Sequence, residues 1–274
     1  MSSTTHVARS SPNLKPGVYE RLHQYLEESK KANNLNINRS ILQKYQVKCT
    51  GIDFLTGNPE DGGLKALEPM SFNELVNMCD PNTLYTDDDI SYPHLSPTPC
   101  VTAIDWTRTC EDAFDREVPN SNNKTMLELS SWERELFLPN VTHIDWRYHW
   151  ALKYVLVPQD NSYSHFICGL ANDYSFTDKI PLFGELYTCC VLDNTTSSDR
   201  RGNNEQRVAI TLLSSSGRSC RIMQFLRDGN QPPTLRISPV YKLGIEDDDE
   251  EQNREVFIKF LCWALSKPLP LAHN

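Results

Sequence analysis

The sequence predicts an α+β fold: a helical, loop-rich N-terminal half and a mainly antiparallel β-sheet C-terminal half, closed by a C-terminal helix. Three observations predict it. Short apolar runs bounded by Pro, Gly, Asn, Asp and Ser crowd into residues 154–237, which is how strands read. Apolar residues at helical spacing prevail before that region. Near the end, Val256 to Leu265 is apolar almost throughout and follows six carboxylates, Glu246 to Glu251, which suit the positive end of a helix.

The elements follow in order. Residues 1–15 read as a frayed tail rich in Ser, Thr and Asn, and residues 16–92 as a helical region. Its first helix follows Pro16-Gly17, with Val18, Leu22, Tyr25 and Leu26 on one face and Asn33-Asn34 as its stop. A short helix is expected over Ser40 to Val47. Residues 49–69 carry Gly51, Gly57, Pro59, Gly62, Gly63 and Pro69, too much punctuation for a regular element. Ser71 and Glu74 have capping-box spacing, so a helix is expected from Phe72 to Cys79, with Phe72, Leu75, Val76 and Met78 as its buried stripe.

Residues 93–100, with Pro93, Pro97 and Pro99, read as a proline-rich connector that favours extended backbone. Residues 101–274 read as one α+β domain. It opens on an internal repeat: Pro99 to Trp106 and Pro139 to Trp146 match at six of eight positions. In each copy Thr102 or Thr142 lies three before Asp105 or Asp145, the chemistry of a helix start. True duplication and coincident helix starts both account for the pair. A helix is expected over Ser131 to Leu138. Strands are expected over 154–157, 165–168, 186–192, 208–213, 220–226 and 235–237, with a polar loop over Asn194 to Gln206. The clearest hairpin runs from Arg207 to Leu213, turns through Ser214 to Gly217 and returns through Arg218 to Leu226.

Composition narrows the function. The start of the chain lacks the apolar run of a secretory signal, and no apolar stretch approaches the length of a membrane span. The nine cysteines are odd in number and dispersed, unlike a secreted disulfide framework. The four glycosylation sequons, at Asn38, Asn123, Asn140 and Asn194, carry no meaning without a signal peptide. The expectation is a soluble intracellular protein, cytoplasmic or nuclear, with no membrane partner.

The net charge of −9 conceals an asymmetry, since residues 200–242 hold eight basic and two acidic side chains. Arg200, Arg201, Arg218, Arg221, Arg227 and Arg236 are therefore the candidate binding surface. They either face an anionic partner or cover the sheet and pair with the protein's own acids. On the hairpin, Arg221 alternates with Met223 and Phe225, a mixture of cation and apolar contacts that single-strand nucleic-acid binders also use.

The motifs of nucleotide binding, nucleophile elbows, His-Glu-x-x-His sites and paired Cys-x-x-Cys are absent from the sequence. His165 and Cys168 point to opposite faces of a strand and cannot share a metal, and Cys189-Cys190 is split in the same way. His143, Asp145 and His149 are joined only by proximity. Asp173 and Glu185, the latter within Phe183-Gly-Glu-Leu-Tyr187, are the one carboxylate pair with a catalytic parallel. Magnesium-dependent PD-(D/E)xK nucleases place an Asp and then Glu-x-Lys on adjacent strands. This segment, with the Arg207 to Leu226 hairpin, resembles the nuclease-like region found ahead of some fungal-type protein kinases. The resemblance covers about sixty residues and would imply Asp173 and Glu185 as Mg2+ ligands. Tyr187 stands where the catalytic Lys belongs, so the activity does not carry over. The function expected is that of a non-enzymatic regulatory protein acting through another protein, without cofactor. A nucleic-acid-binding or degenerate nuclease-like domain, with Mg2+, is the alternative.

Overall fold

The computed structural model describes residues 17–78, 99–119, 121–135, 149–160, 162–199, 207–229, 231–243 and 250–271. Helix α1 (Val18–Lys31) buries Tyr19, Leu22 and Leu26 along one stripe, with Lys30 and Lys31 in its last turn, where the negative helix end favours them. Asn33, at φ 53°, turns the chain out of the helix. Helix α2 (Arg39–Lys44) starts at Asn38, whose side-chain oxygen accepts the Ile41 N–H at 3.1 Å. Strand β1 (Lys48–Gly51) and strand β2 (Leu67–Glu68) interrupt the Gly-rich and Pro-rich stretch. Helix α3 (Phe72–Met78) has the expected reciprocal cap, Glu74 N–H to Ser71 Oγ at 3.2 Å and Ser71 N–H to Glu74 Oε2 at 2.8 Å.

Helix α4 (Pro99–Phe114) begins three residues before Thr102, so the helix start expected at Thr102 falls inside the helix. The second copy of the repeat lies outside the described residues. Helix α5 (Met126–Leu129) leads into strand β3 (Trp132–Arg134), where a helix was expected. Trp132 is drawn into the strand because its ring is fully buried, its indole N–H donates to the Ser266 carbonyl, and its backbone pairs with Pro158. Strands β4 (Trp150–Pro158) and β5 (His165–Asn172) follow, then helix α6 (Phe183–Asp199). After it come β6 (Arg207–Ser216), β7 (Ser219–Asp228), β8 (Thr234–Ile237), β9 (Tyr241–Lys242), helix α7 (Glu250–Ala264) and β10 (Lys267–Pro268).

The fold is α+β, but its main sheet is mixed. Among the described residues eight strands join in the order β1-β8-β7-β6-β5-β4-β3, with β9 also on β7. β5 pairs with β6 and β1 with β8 in parallel, and the other ladders are antiparallel. The mainly antiparallel expectation fails at α6. A strand was expected over Leu186 to Leu192, whereas the chain forms a helix there and crosses back to make β6 parallel to β5. The polar stretch read as a loop from Asn194 continues this helix to Asp199, and residues 200–206 lie outside the described residues. The hairpin is longer than expected. Ser214, Ser215 and Ser216 belong to β6, and the turn shrinks to Gly217-Arg218, with Gly217 at φ 54°.

Helices cover both faces of the sheet. Helices α1, α2 and α6 pack on one side over Phe166, Cys168, Ile210, Leu212, Met223 and Phe225. On the other side α3, α4, α5 and α7 pack over Tyr154, Leu156, Ile167, Leu213 and Ile222. Helix α7 buries Val256, Phe257, Phe260, Leu261 and Ala264 against the sheet, while Glu251, Gln252 and Glu255 in its first half stay exposed. The short β2/β10 pair ties residues 66–70 to the end of α7, reinforced by Met70 N–H to Cys262 O at 2.9 Å.

Candidate recognition groove

The arginines offered by the sequence are distributed very unevenly. Residues 221, 223, 225 and 227 of β7 share the face beneath α1 and α6. Arg221 is fully buried there, and its Nε donates to Glu185 Oε1 at 3.0 Å while Nη2 donates to Glu185 Oε2. Its remaining donors reach the carbonyls of Thr177 and Ile180 at 2.9 and 3.1 Å, and the Phe176 ring stacks on it at 4.4 Å. Arg227 forks onto Asp193 of α6, with Nη2 to Oδ1 at 2.7 Å, and the pair raises its pKa against the cost of burial. Arg236 is buried against Asp61 at 3.1 Å, with Nη1 donating to Leu64 O at 2.6 Å, and burial lowers its pKa. Arg218, in the hairpin turn, is half-buried, and its Nε donates to Leu243 O at 3.2 Å. Arg200 and Arg201 lie outside the described residues. The structure thus brings no shared basic surface out of Arg221, Arg227 and Arg236, which hold α6 and residues 61–64 to the sheet.

Asp173 and Glu185 also part company. Glu185 sits in the first turn of α6, accepts the Leu182 N–H at 2.7 Å and has both oxygens on Arg221. Asp173 follows β5, and its Oδ2 accepts a hydrogen bond from His149 Nδ1 at 2.8 Å, next to the Tyr174 ring. The nuclease arrangement wants a Glu strand, then a helix, then the hairpin. Helix α6 does stand between β5 and the β6/β7 hairpin, but Glu185 is on the helix, and β5 from His165 to Asn172 has neither carboxylate nor Lys. Among the described residues no three of His, Cys, Asp and Glu gather as a metal site, and no helix is long and apolar enough to cross a membrane. His143 and Asp145 lie outside the described residues.

The feature that sequence reasoning missed is a groove of about 1120 Å³ between α3, the 54–58 turn and α7. One wall is a stripe of α7 at helical spacing: Glu251, Arg254, Glu255, Ile258, Lys259, Cys262 and Trp263. That stripe is about 18 Å long at the helical rise. The facing wall is Leu55, Phe72 and Val76, which are 62%, 55% and 40% exposed. Phe72 and Val76 were read as part of a buried stripe. In the fold α3 turns Leu75 into the core instead, and Phe72 and Val76, four apart, look outward together. The available signal was a short helix with more apolar residues than one face can bury.

Local chemistry fixes the rim. Asp53 Oδ1 accepts from Thr56 Oγ1 and N–H, both at 2.7 Å, and from Leu55 N–H at 3.1 Å, a tight turn that displays Leu55. Those hydrogen bonds from Thr56 hold the Asp53 carboxyl below its usual pKa, and the Ser71 cap does the same for Glu74. Gly57 at φ 71° continues the turn, and the Trp263 indole N–H donates to Phe54 O at 2.7 Å, pinning it to α7. Within the groove Lys65 pairs with Glu68 at 2.7 Å and Lys259 with Glu255 at 3.4 Å.

No family model, no curated protein and no solved structure matches this chain.

Proposed function

We propose that the chain is a non-enzymatic recognition protein whose partner is another protein, seated in the α3/α7 groove. The observation that carries this reading is the alignment of Leu55, Phe72 and Val76, all outward-facing, along one side of a cleft whose other side is α7. Scattered exposed apolar residues need no explanation, but a contiguous set with a polar margin is how interaction sites are built. The motifs missing from the sequence and the closed Arg221/Glu185 pair favour binding over chemistry. The basic segment contributes internal ties under this reading, and the recognition surface lies on the opposite helical layer.

A photo-crosslinking residue placed at Phe72, with another at Leu129 as the control, tests the proposal in extracts of the source cells. A defined protein adduct at the Phe72 position, lost when Val76→Asp is added, is expected. Titration with single- and double-stranded oligonucleotides at two salt concentrations runs beside it. Oligonucleotide binding that weakens with salt and with Arg218→Ala, with no protein adduct at position 72, overturns the reading in favour of nucleic acid.

A further inference from the structure

We infer that a separate cavity, at the start of β6 and β8, binds the phosphate group of a small molecule. The inference is independent of the α3/α7 groove, with which this cavity shares no lining residue. Its volume is about 330 Å³, at the small end of the range for ligand sites. The ionic side chains that line it are Arg207, Arg227 and Arg236 against Asp61 and Asp228. The excess cation persists when the partners behind these walls are counted. Arg207 pairs with Asp228 at 3.1 Å, and Arg227 with Asp193. Arg236 shares Asp61 with Lys48, at 3.1 and 3.7 Å. One carboxylate thus serves two cations, of which Lys48 is exposed and Arg236 only 3% exposed.

The consequence shows in Arg236 itself. Burial lowers its pKa in spite of Asp61, whereas the burial of Arg227 is outweighed by Asp193, which raises its pKa. A buried guanidinium that its carboxylate does not fully compensate is stabilised by an added anion. Donors are present as well as charge. Nη1 and Nη2 of Arg236 go to Leu64 O and Asp61, and its buried Nε has no acceptor among the described residues. Thr234 and Gln231 line the same cavity, and their hydroxyl and amide make no hydrogen bond among the described residues. With Arg207, these donors stand on β6, on β8 and on the segment that links β7 to β8. Donors on several sides suit the three oxygens of a tetrahedral phosphate better than the two of a planar carboxylate. The small volume limits the occupant to free phosphate or a small phosphomonoester.

The test is a titration of the full chain with inorganic phosphate and with glycerol phosphate at constant ionic strength, read by the arginine Nε–H signals in NMR and by melting temperature. Arg236→Lys, which removes Nε and keeps the cation, assigns the Arg236 signal. That signal is expected to move saturably with phosphate and not with chloride, and the melting temperature to rise with it. Arg207→Gln and, separately, Thr234→Val, each shown to fold by its melting temperature, are expected to weaken binding about tenfold. Tighter binding of glycerol phosphate assigns the site to a phosphomonoester, and equal binding assigns it to free phosphate; both bear the inference out. An Arg236 signal that stays still, acetate that moves it as strongly as phosphate, or affinity unchanged in both variants overturns it. If Arg236→Lys does not fold, the Arg207→Gln and Thr234→Val affinities decide by themselves.

Discussion

The β6/β7 hairpin and the α3/α7 groove invert the usual order of a protein. The hairpin side takes arginines inside: Arg221 and Arg227 reach under α6 to Glu185 and Asp193. The groove side leaves Leu55, Phe72 and Val76 outside. Charge that looks available in the sequence is structural, and apolar residues that look structural are available. The difference teaches that sign and polarity along the chain do not locate a binding surface until each side chain is asked what already satisfies it.

The largest test of this contrast removes one member of a buried pair. Arg221→Met leaves Glu185 without a counter-ion in a fully buried position, and a loss of about 3–5 kcal/mol in urea unfolding is expected. Arg221→Met/Glu185→Leu is expected to recover most of that loss, because a well-packed apolar pair carries no stranded charge. If Arg221→Met alone leaves stability unchanged, the arginine does not tie α6 to the sheet.

A pH titration reads a second tie. His165 is buried, its Nε2 lies 3.0 Å from Ala66 O, and burial lowers its pKa to about 4 against an ordinary 6.5. The unfolded chain takes up this proton as pH falls below 6.5 while the folded chain does not. His165's contribution is therefore complete above pH 6.5 and is lost progressively down to pH 4, about 3 kcal/mol in all. In His165→Gln this part of the acid slope is expected to vanish from the denaturation midpoint, and an unchanged slope would assign it elsewhere.

The smallest expected effect is on the groove side. Phe72→Asp is expected to shift unfolding free energy by no more than about 0.5 kcal/mol, since the ring gives up little buried surface. A loss several times larger would place Phe72 in the core and remove the contrast.

Much of the fold was legible in the residues. The Ser71/Glu74 box, the Asn33 stop, and the runs of β4, β5, β7 and β8 each state their element locally. Helix α6 was not legible as a helix because Leu186, Cys189, Cys190 and Leu192 on one side are joined by Tyr187 and Val191 on the other, which blurs the helical period. A helix wedged between a sheet and α1 reads like a buried strand. β3 was hidden because Trp132 and its neighbours are too short a run to show a period, and its place is fixed by Ser266 and β4 far along the chain. The groove was illegible for the same reason: which of Phe72, Leu75 and Val76 turns inward depends on where α7 lies, and α7 is almost two hundred residues away.

The most direct measurement of the central claim is a fluorescence-anisotropy titration of one peptide, selected on the full chain from a displayed random library, against the wild type, Phe72→Asp and Arg218→Ala side by side. Binding to the wild type and to Arg218→Ala with equal affinity is expected, and loss of at least about tenfold, or roughly 1.4 kcal/mol, with Phe72→Asp. Retained affinity in Phe72→Asp with loss in Arg218→Ala would move recognition to the hairpin and contradict it.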